Sequence, residues 1–154
     1  MRILISGATG LVGKVLIKQA LLDGHEIHFL TRSKAKIGFH KGVKGFYWNP
    51  NEHKIDVACF DGVDCIIHLA AALGVRDTEK NPKKVLSVNI DGTRNLLESI
   101  PGSKVKLLLF TSSSEIYGET NKNGVKENDK FNPKSVYAHT KIIGEELIKT
   151  YSKI

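Results

Sequence analysis

Short, nearly continuous apolar runs alternate along this chain with longer segments whose apolar positions recur every three or four residues. That alternation predicts buried strands separated by amphipathic helices. The first run, Arg2 to Ser6, is followed by a helical pattern from Leu11 to Asp23, which Gly24 ends. Glu26 to Leu30 reads as strand two, Lys44 to Trp48 as a short strand three, and Asp64 to Leu69 as strand four, apolar enough to be buried on both faces. Asn81-Pro82 supplies a cap and a first-turn proline for a long helix through Val85, Val88, Leu96 and Leu97, which stops before Pro101-Gly102. Val105 to Phe110 is strand five. A loop rich in Asn, Gly and Lys runs from about Gly118 to Pro133, and Ser135 caps a last helix through Lys149. The segment from Ser33 to Lys41 is too short and too glycine-interrupted for a full helix. The order predicts an α/β fold with a parallel, doubly wound sheet.

The turn after strand one reads Gly7-Ala-Thr-Gly10-Leu-Val-Gly13. Gly7 permits a sharp turn where a Cβ would clash, Gly10 lets backbone N–H groups approach phosphate oxygens at the positive end of a helix, and Gly13 lets that helix pack close to the sheet. A strand, spaced glycines and a helix start together suit a dinucleotide pyrophosphate, although a tight turn without ligand needs the same residues. The spacing is one residue wider than the common Gly-x-Gly-x-x-Gly.

Composition narrows the remaining classes. Lys and Arg number 23 against 16 acidic residues, a net charge of +7, but the lysines are spread along the chain without interleaved aromatics. This points to a solvated basic surface and not to a nucleic-acid site, while leaving a field that attracts anionic cofactors and nucleotide-linked substrates. No apolar run approaches the roughly 20 residues of a membrane span, and no charged and apolar leader opens the sequence, so a cytoplasmic, membrane-free protein is expected. Cys59 and Cys65 form no Cys-x-x-Cys and are expected to be reduced, and the 6 histidines lack metal-ligand spacing, so no metal is expected.

Strand two ends in Thr31-Arg32-Ser33, where an acidic residue would bond an adenosine ribose. An arginine there pairs with a 2′-phosphate, which favours NADP over NAD; a surface arginine is the plain alternative. Strand five ends in Thr111-Ser-Ser-Ser114-Glu-Ile-Tyr117-Gly, and the last helix carries Tyr137-Ala-His-Thr-Lys141. Tyr and Lys one helical turn apart share a face, so a lysine ammonium is expected to lower the phenol's pKa from about 10 toward neutrality. With a serine hydroxyl holding the same oxygen, the trio suits proton transfer coupled to hydride transfer at a nicotinamide.

These motifs, together with His68-Leu-Ala-Ala71 and Val88-Asn-Ile-Asp-Gly-Thr93, resemble the extended short-chain dehydrogenase/reductase family, and within it the nucleotide-sugar epimerases and dehydratases. They fall in family order over nearly the whole chain. The resemblance implies a Rossmann-type domain over residues 1–154, with Tyr137 as acid/base, Lys141 as its partner and a bond to the nicotinamide ribose, and Ser113 as the substrate-hydroxyl donor. It implies cofactor contacts for Gly7, Gly10, Leu11, Val12, Gly13, Arg32, Ala70, Ala71, Asn89, Ser112, Tyr137 and Lys141. Asn89 would buttress the nicotinamide side, and His68 reads as a core histidine. Trp48 either packs or touches adenine. Glu115 resembles the dehydratase base that removes a proton beside a transient ketone, with Ser114 where many dehydratases have Asp; epimerases usually carry a small residue or Thr at the Glu115 position.

The implied activity is NAD(P)-dependent epimerisation or dehydration of a nucleotide-linked sugar. The Thr31-Arg32-Ser33 and Tyr47-Trp-Asn-Pro50 stretches also resemble reductases of the dihydroflavonol-reductase-like group. Family members continue well beyond the equivalent of Lys141 into a substrate-binding region, so a fragment of a longer protein or a shortened relative is expected. In the second case a non-catalytic dinucleotide-binding, redox-sensing module is the alternative. A homodimer through the Tyr137 helix is a further expectation of the family pattern.

Overall fold

The computed structural model describes residues 1–38, 41–72, 80–119 and 124–153. Six strands form one sheet: β1 (Arg2–Ser6), β2 (Glu26–Thr31), β3 (Val43–Asn49), β4 (Lys54–Ile55), β5 (Cys65–His68) and β6 (Leu107–Phe110). Their spatial order is β4-β3-β2-β1-β5-β6, and every pairing is parallel except β3 with β4. The helices are α1 (Leu11–Leu22), α2 (Pro82–Leu86), α3 (Gly92–Glu98) and α4 (Val136–Tyr151).

Alternation along the strands builds a core on each face of the sheet. Ile3, Ile5, Ile27, Phe29 and Cys65 pack with Ile17 and Ala20 of α1. Leu4, Leu30, Phe46, Trp48 and Ile66 pack with Leu96 of α3 on the other face. The period of two decides this division, since Leu4 and Ile5 are both fully buried but face opposite layers. Edge strand β6 departs from the pattern of full burial: Leu107 and Leu109 remain about half exposed.

Caps predicted from sequence form. The Asn81 side chain accepts from the Lys84 N–H, with Pro82 in the first turn of α2, and the Ser135 hydroxyl accepts from the Ala138 N–H to start α4. Gly24 adopts φ +76° directly after α1. Between Ser33 and Lys41, the described residues hold a single 3₁₀ turn, Lys34–Lys36, and residues 39–40 lie outside the described set. The polar loop after Gly118 is likewise described only in part, since residues 120–123 lie outside that set.

Two features depart from the expected pattern. The sheet gains the short antiparallel strand β4, made when His53 takes a left-handed conformation (φ 49°) and turns the chain back along β3. The expected long helix is divided: α2 and α3 are separated by a π-helical turn over Ser87–Asp91. Its wider turn places both Val88 and Asn89 in the interior.

Trp48 shows how the core shapes the surface above it. Only 3% exposed, it donates its indole N–H to Asn95 Oδ1 at 2.9 Å, while Asn95 donates to the His53 carbonyl. Asn95→Leu leaves that indole N–H without a partner and should cost about 1–3 kcal/mol. In urea unfolding, the Trp48→Phe/Asn95→Leu double variant should cost clearly less than the sum of the two single changes; strict additivity would remove the bond from the explanation.

Candidate functional site

At the carboxyl edge of the sheet, Ser6, Leu30, His68 and Phe110 lie in one row across four parallel strands. The chain leaves this edge from β1 through the glycine turn. Gly7 has φ +71°, and a Cβ there would sit 2.8 Å from the Ala70 nitrogen. A Cβ on Gly13 would sit 2.5 Å from the Gly7 carbonyl oxygen and 2.6 Å from the Ala8 Cα. Both contacts are with backbone, so neither position admits a side chain without moving the main chain.

The start of α1 is open in the way an anion requires. Its N-cap is Gly10, no side chain caps it, and no acidic residue occupies its first turn. The first-turn amides of Leu11, Val12 and Gly13 have no carbonyl partner within their own helix, and the helix dipole adds positive potential at the same point. A cleft of about 370 Å³ opens beside this turn, bounded by Gly7, Gly10 and Thr9, by Ala70 to Ala72 after β5, and by Arg32, Trp48, Pro50 and Val88. The residues present therefore fit a pyrophosphate-containing dinucleotide.

Arg32 is exposed at the end of β2 and lines the cleft. Lys84, which sequence reading did not single out, lines it from α2. Trp48 packs in the core and also forms part of the cleft wall.

A second group gathers at the end of β6 and the start of α4. Ser113 caps the 3₁₀ turn Ser114–Tyr117 by accepting from the Glu115 N–H at 3.2 Å. Its hydroxyl also lies near enough to the Tyr137 phenol to favour that group's ionised form. The Glu115 carboxylate accepts from the Ser135 hydroxyl at 3.1 Å, so the same serine that caps α4 ties down this carboxylate. Lys141 is 3% exposed and donates to the Thr111 carbonyl at 2.8 Å. Its ammonium lies 4.8 Å from the centre of the Phe110 ring and 5.7 Å from that of Tyr137.

The electrostatics correct one expectation. The Tyr137 phenol is held above its ordinary value, not below it: burial raises it, the nearby Ser113 hydroxyl lowers it, and the Glu115 charge raises it. Lys141 fails to lower it because its ammonium addresses the Thr111 carbonyl and the face of the phenol ring. Burial instead acts on the lysine, bringing its pKa down to about 8.

Ser112 and Asn89 both hold protein partners. The Ser112 hydroxyl donates to Glu145 on α4 and so anchors the strand end to that helix. Asn89 holds protein: its side chain accepts from the Ala72 N–H at 2.7 Å and donates to Thr140 at 2.9 Å. Thr140, also not singled out from the sequence, lies on the buried face of α4 with Ala138, Lys141 and Gly144. Tyr137, Ser113 and Lys141 do not line the cleft itself, but Ala72 does, and Asn89 joins it to their helix.

A protein-family comparison places residues 3–153 within one description, "NAD dependent epimerase/dehydratase family". The chain belongs to the NAD-dependent epimerase/dehydratase family. Among curated relatives, it is 33% identical to UDP-glucuronate 4-epimerase 1 of Arabidopsis thaliana, over 99% of this chain and 39% of that protein. It is 29% identical to a 3 beta-hydroxysteroid dehydrogenase/Delta 5→4-isomerase of Mycobacterium tuberculosis, over 96% of this chain and 42% of that protein. The structure of MoeE5, solved in complex with UDP-glucose and NAD, superposes with a TM-score of 0.87 at 26% identity, over 100% of this chain and 50% of that one. The chain thus spans about half the length, or less, of the proteins it matches. Among the described residues, no helix is long and apolar enough to cross a membrane.

Burial of Lys141 gives the site a testable energetic signature. Its pKa is lower in the folded protein than in the unfolded chain, so the unfolded state binds more protons between about pH 8 and 10.5. Lys141 should therefore contribute a rise in stability with pH across that window, because the penalty for burying the ammonium is full below it and is relieved as the lysine deprotonates. The rise is read as the difference from a variant without the lysine, since the buried Cys59 thiol, pushed up to about 12, acts in the opposite sense in both proteins. Lys141→Met should remove this rise and stabilise the protein at pH 7 by about 3 kcal/mol, read from urea unfolding at several pH values. A variant that keeps the rise would place the buried charge elsewhere.

Proposed function

We propose that the protein epimerises or dehydrates a nucleotide-linked sugar by transient hydride transfer, using a nicotinamide dinucleotide. The observation that carries this reading is the joint placement, at one sheet edge, of an uncapped helix start beside a cleft and of a Ser113–Tyr137 pair with a buried lysine. A pure binding module has no use for the second group.

Gly7, Gly10 and Gly13 shape the turn, the amides of Leu11 and Val12 hold the pyrophosphate, and Ala70 and Ala71 line its path. When bound, the dinucleotide supplies a reversible hydride acceptor. Tyr137 takes the proton of the sugar carbinol and later returns it, Ser113 holds the same oxygen, and Lys141 holds the nicotinamide ribose. Glu115 is the proposed base that would remove a proton next to the resulting ketone. With that proton removed, the hydroxyl on the next carbon would leave, taking up a proton to depart as water and giving an unsaturated ketone; without it, a bound dinucleotide would supply hydride to the other face of the ketone and the product would be the epimer. MoeE5, solved with UDP-glucose and NAD, supports a nucleotide sugar as the substrate class. A cytoplasmic location and pairing of two copies through α4, whose Ile143 is exposed, belong to the same reading.

Arg32 favours NADP over NAD within this scheme, since β2 ends in a cation with no carboxylate beside it. Arg32→Ala should weaken NADP binding about 10- to 100-fold and leave NAD nearly unchanged in titration calorimetry, the loss expected for a charge-assisted bond. Equal losses for both cofactors would sink the NADP preference.

The activity itself is tested by incubating the protein with NAD or NADP and a panel of UDP-glucose, UDP-glucuronate, GDP-mannose and dTDP-glucose, with products resolved by NMR. An epimer or a dehydrated keto sugar should form, and Tyr137→Phe should slow it about 10²- to 10⁴-fold. Glu115→Gln should abolish water loss while sparing hydride transfer. Tight dinucleotide binding without any product would favour a redox-sensing module instead.

A further inference from the structure

Beneath the cleft, a set of buried polar side chains runs from the strand that carries the glycine turn to the helix that carries Tyr137. Ser6, His68, Asn89, Thr93 and Thr140 are each no more than 3% exposed. The Ala70 N–H donates to Ser6 Oγ at 3.1 Å, and Ser6 Oγ contacts His68 Nδ1. On its other side, His68 Nε2 lies 3.0 Å from Thr93 Oγ1, which donates to the Asn89 carbonyl at 2.6 Å.

The end groups give this chain one direction. Thr93 has its single hydroxyl proton committed to the Asn89 carbonyl, so it can only accept from His68, and Nε2 must carry a proton. Ser6 Oγ already accepts from Ala70, which leaves its own proton free to donate to Nδ1. A neutral imidazole protonated on Nε2 satisfies every member; the other tautomer would leave two acceptors facing each other at Thr93. Asn89, fixed at its carbonyl, then clamps Ala72 on the cleft wall and Thr140 on α4 with its side chain. Thr140 donates its hydroxyl hydrogen bond to the Tyr137 carbonyl at 2.7 Å. Asn89 lies in the π-helical turn, where the wider backbone puts it within reach of both elements.

We infer that His68 is a positioning residue: through Thr93 it fixes Asn89, and through Asn89 it sets the Tyr137 helix against the dinucleotide cleft. His68 touches neither ligand nor reacting atoms in this scheme. Its part is to make the glycine-turn strand and α4 move as one body, so that the nicotinamide end of a bound cofactor meets Tyr137 and Lys141 at a set distance. The inference rests on the dinucleotide-dependent reading above.

Thr93→Val keeps the shape of the side chain and removes both bonds at the centre of the relay, while Thr93→Ser keeps them. The probes are NADH, which reaches from the glycine turn to α4, and ADP, which engages the glycine turn and adenine end alone. Thr93→Val should weaken NADH binding about three- to tenfold, leave ADP binding at the wild-type value, and be rescued by Thr93→Ser. Equal weakening of NADH and ADP, or of neither, overturns the inference. Failure of the wild-type protein to bind either NADH or NADPH overturns the reading of the site instead. Should Thr93→Val not fold, long-range ¹H–¹⁵N NMR of the wild-type protein decides: His68 must show the neutral tautomer protonated on Nε2, and a proton on Nδ1 overturns the relay.

Discussion

The site depends on one close approach, that of the glycine turn to the segment leaving β5. Gly7 sits so near the Leu69–Ala70 peptide that a single Cβ would overlap it, and Gly13 is equally close to the turn's own backbone. These two contacts pull the start of α1 down onto the sheet edge between β1 and β5. The helix consequently points its uncapped amides into the cleft at the place where parallel strands end, with both strands already held in register by the β1–β5 ladder. A side chain at either glycine would lift the helix away, and the potential at its end falls off within a turn.

Around that contact the protein accepts polar burial, and it does so with partners for each group. Among the described residues, no buried side-chain nitrogen or oxygen lacks a hydrogen bond. His68 is held neutral, with a pKa lowered to about 3 chiefly by burial and then by the nearby Lys141 charge. Lys141 also feels burial, yet its ammonium keeps the Thr111 carbonyl and two aromatic faces as partners. A buried lysine with a pKa brought close to neutrality is costly to a fold and useful to a reaction that moves protons.

Much of this was legible in the chain. Continuous apolar runs announced the parallel strands, Asn81-Pro82 and Ser135 announced helix starts, and the glycine spacing with its flanking strand and helix announced the cleft. What was hidden arises from geometry that periodicity does not carry. β4 is two residues long and exists because His53 reverses the chain. The π-helical turn is invisible because Val88 and Asn89 fit an ordinary helical stripe until the backbone widens. The direction of a charge is hidden too: Tyr137 and Lys141 share a helix face as their spacing requires, but the ammonium turns to Thr111 and the phenol is raised by burial. The bond by which the Ser112 hydroxyl anchors β6 to Glu145 is equally invisible in the motif that contains it.

The central claim is that one dinucleotide spans the glycine turn and the Ser113–Tyr137 pair. A crystal structure of the protein with bound NADH tests it most directly. The pyrophosphate should rest on the Leu11 and Val12 amides, and the nicotinamide should lie past Ala72 with room for a sugar carbon about 3–3.5 Å from its reacting carbon, beside the Tyr137 hydroxyl. A dinucleotide bound elsewhere, or one whose nicotinamide turns away from Tyr137 into solvent, would separate the two groups and leave the cleft as a binding site alone.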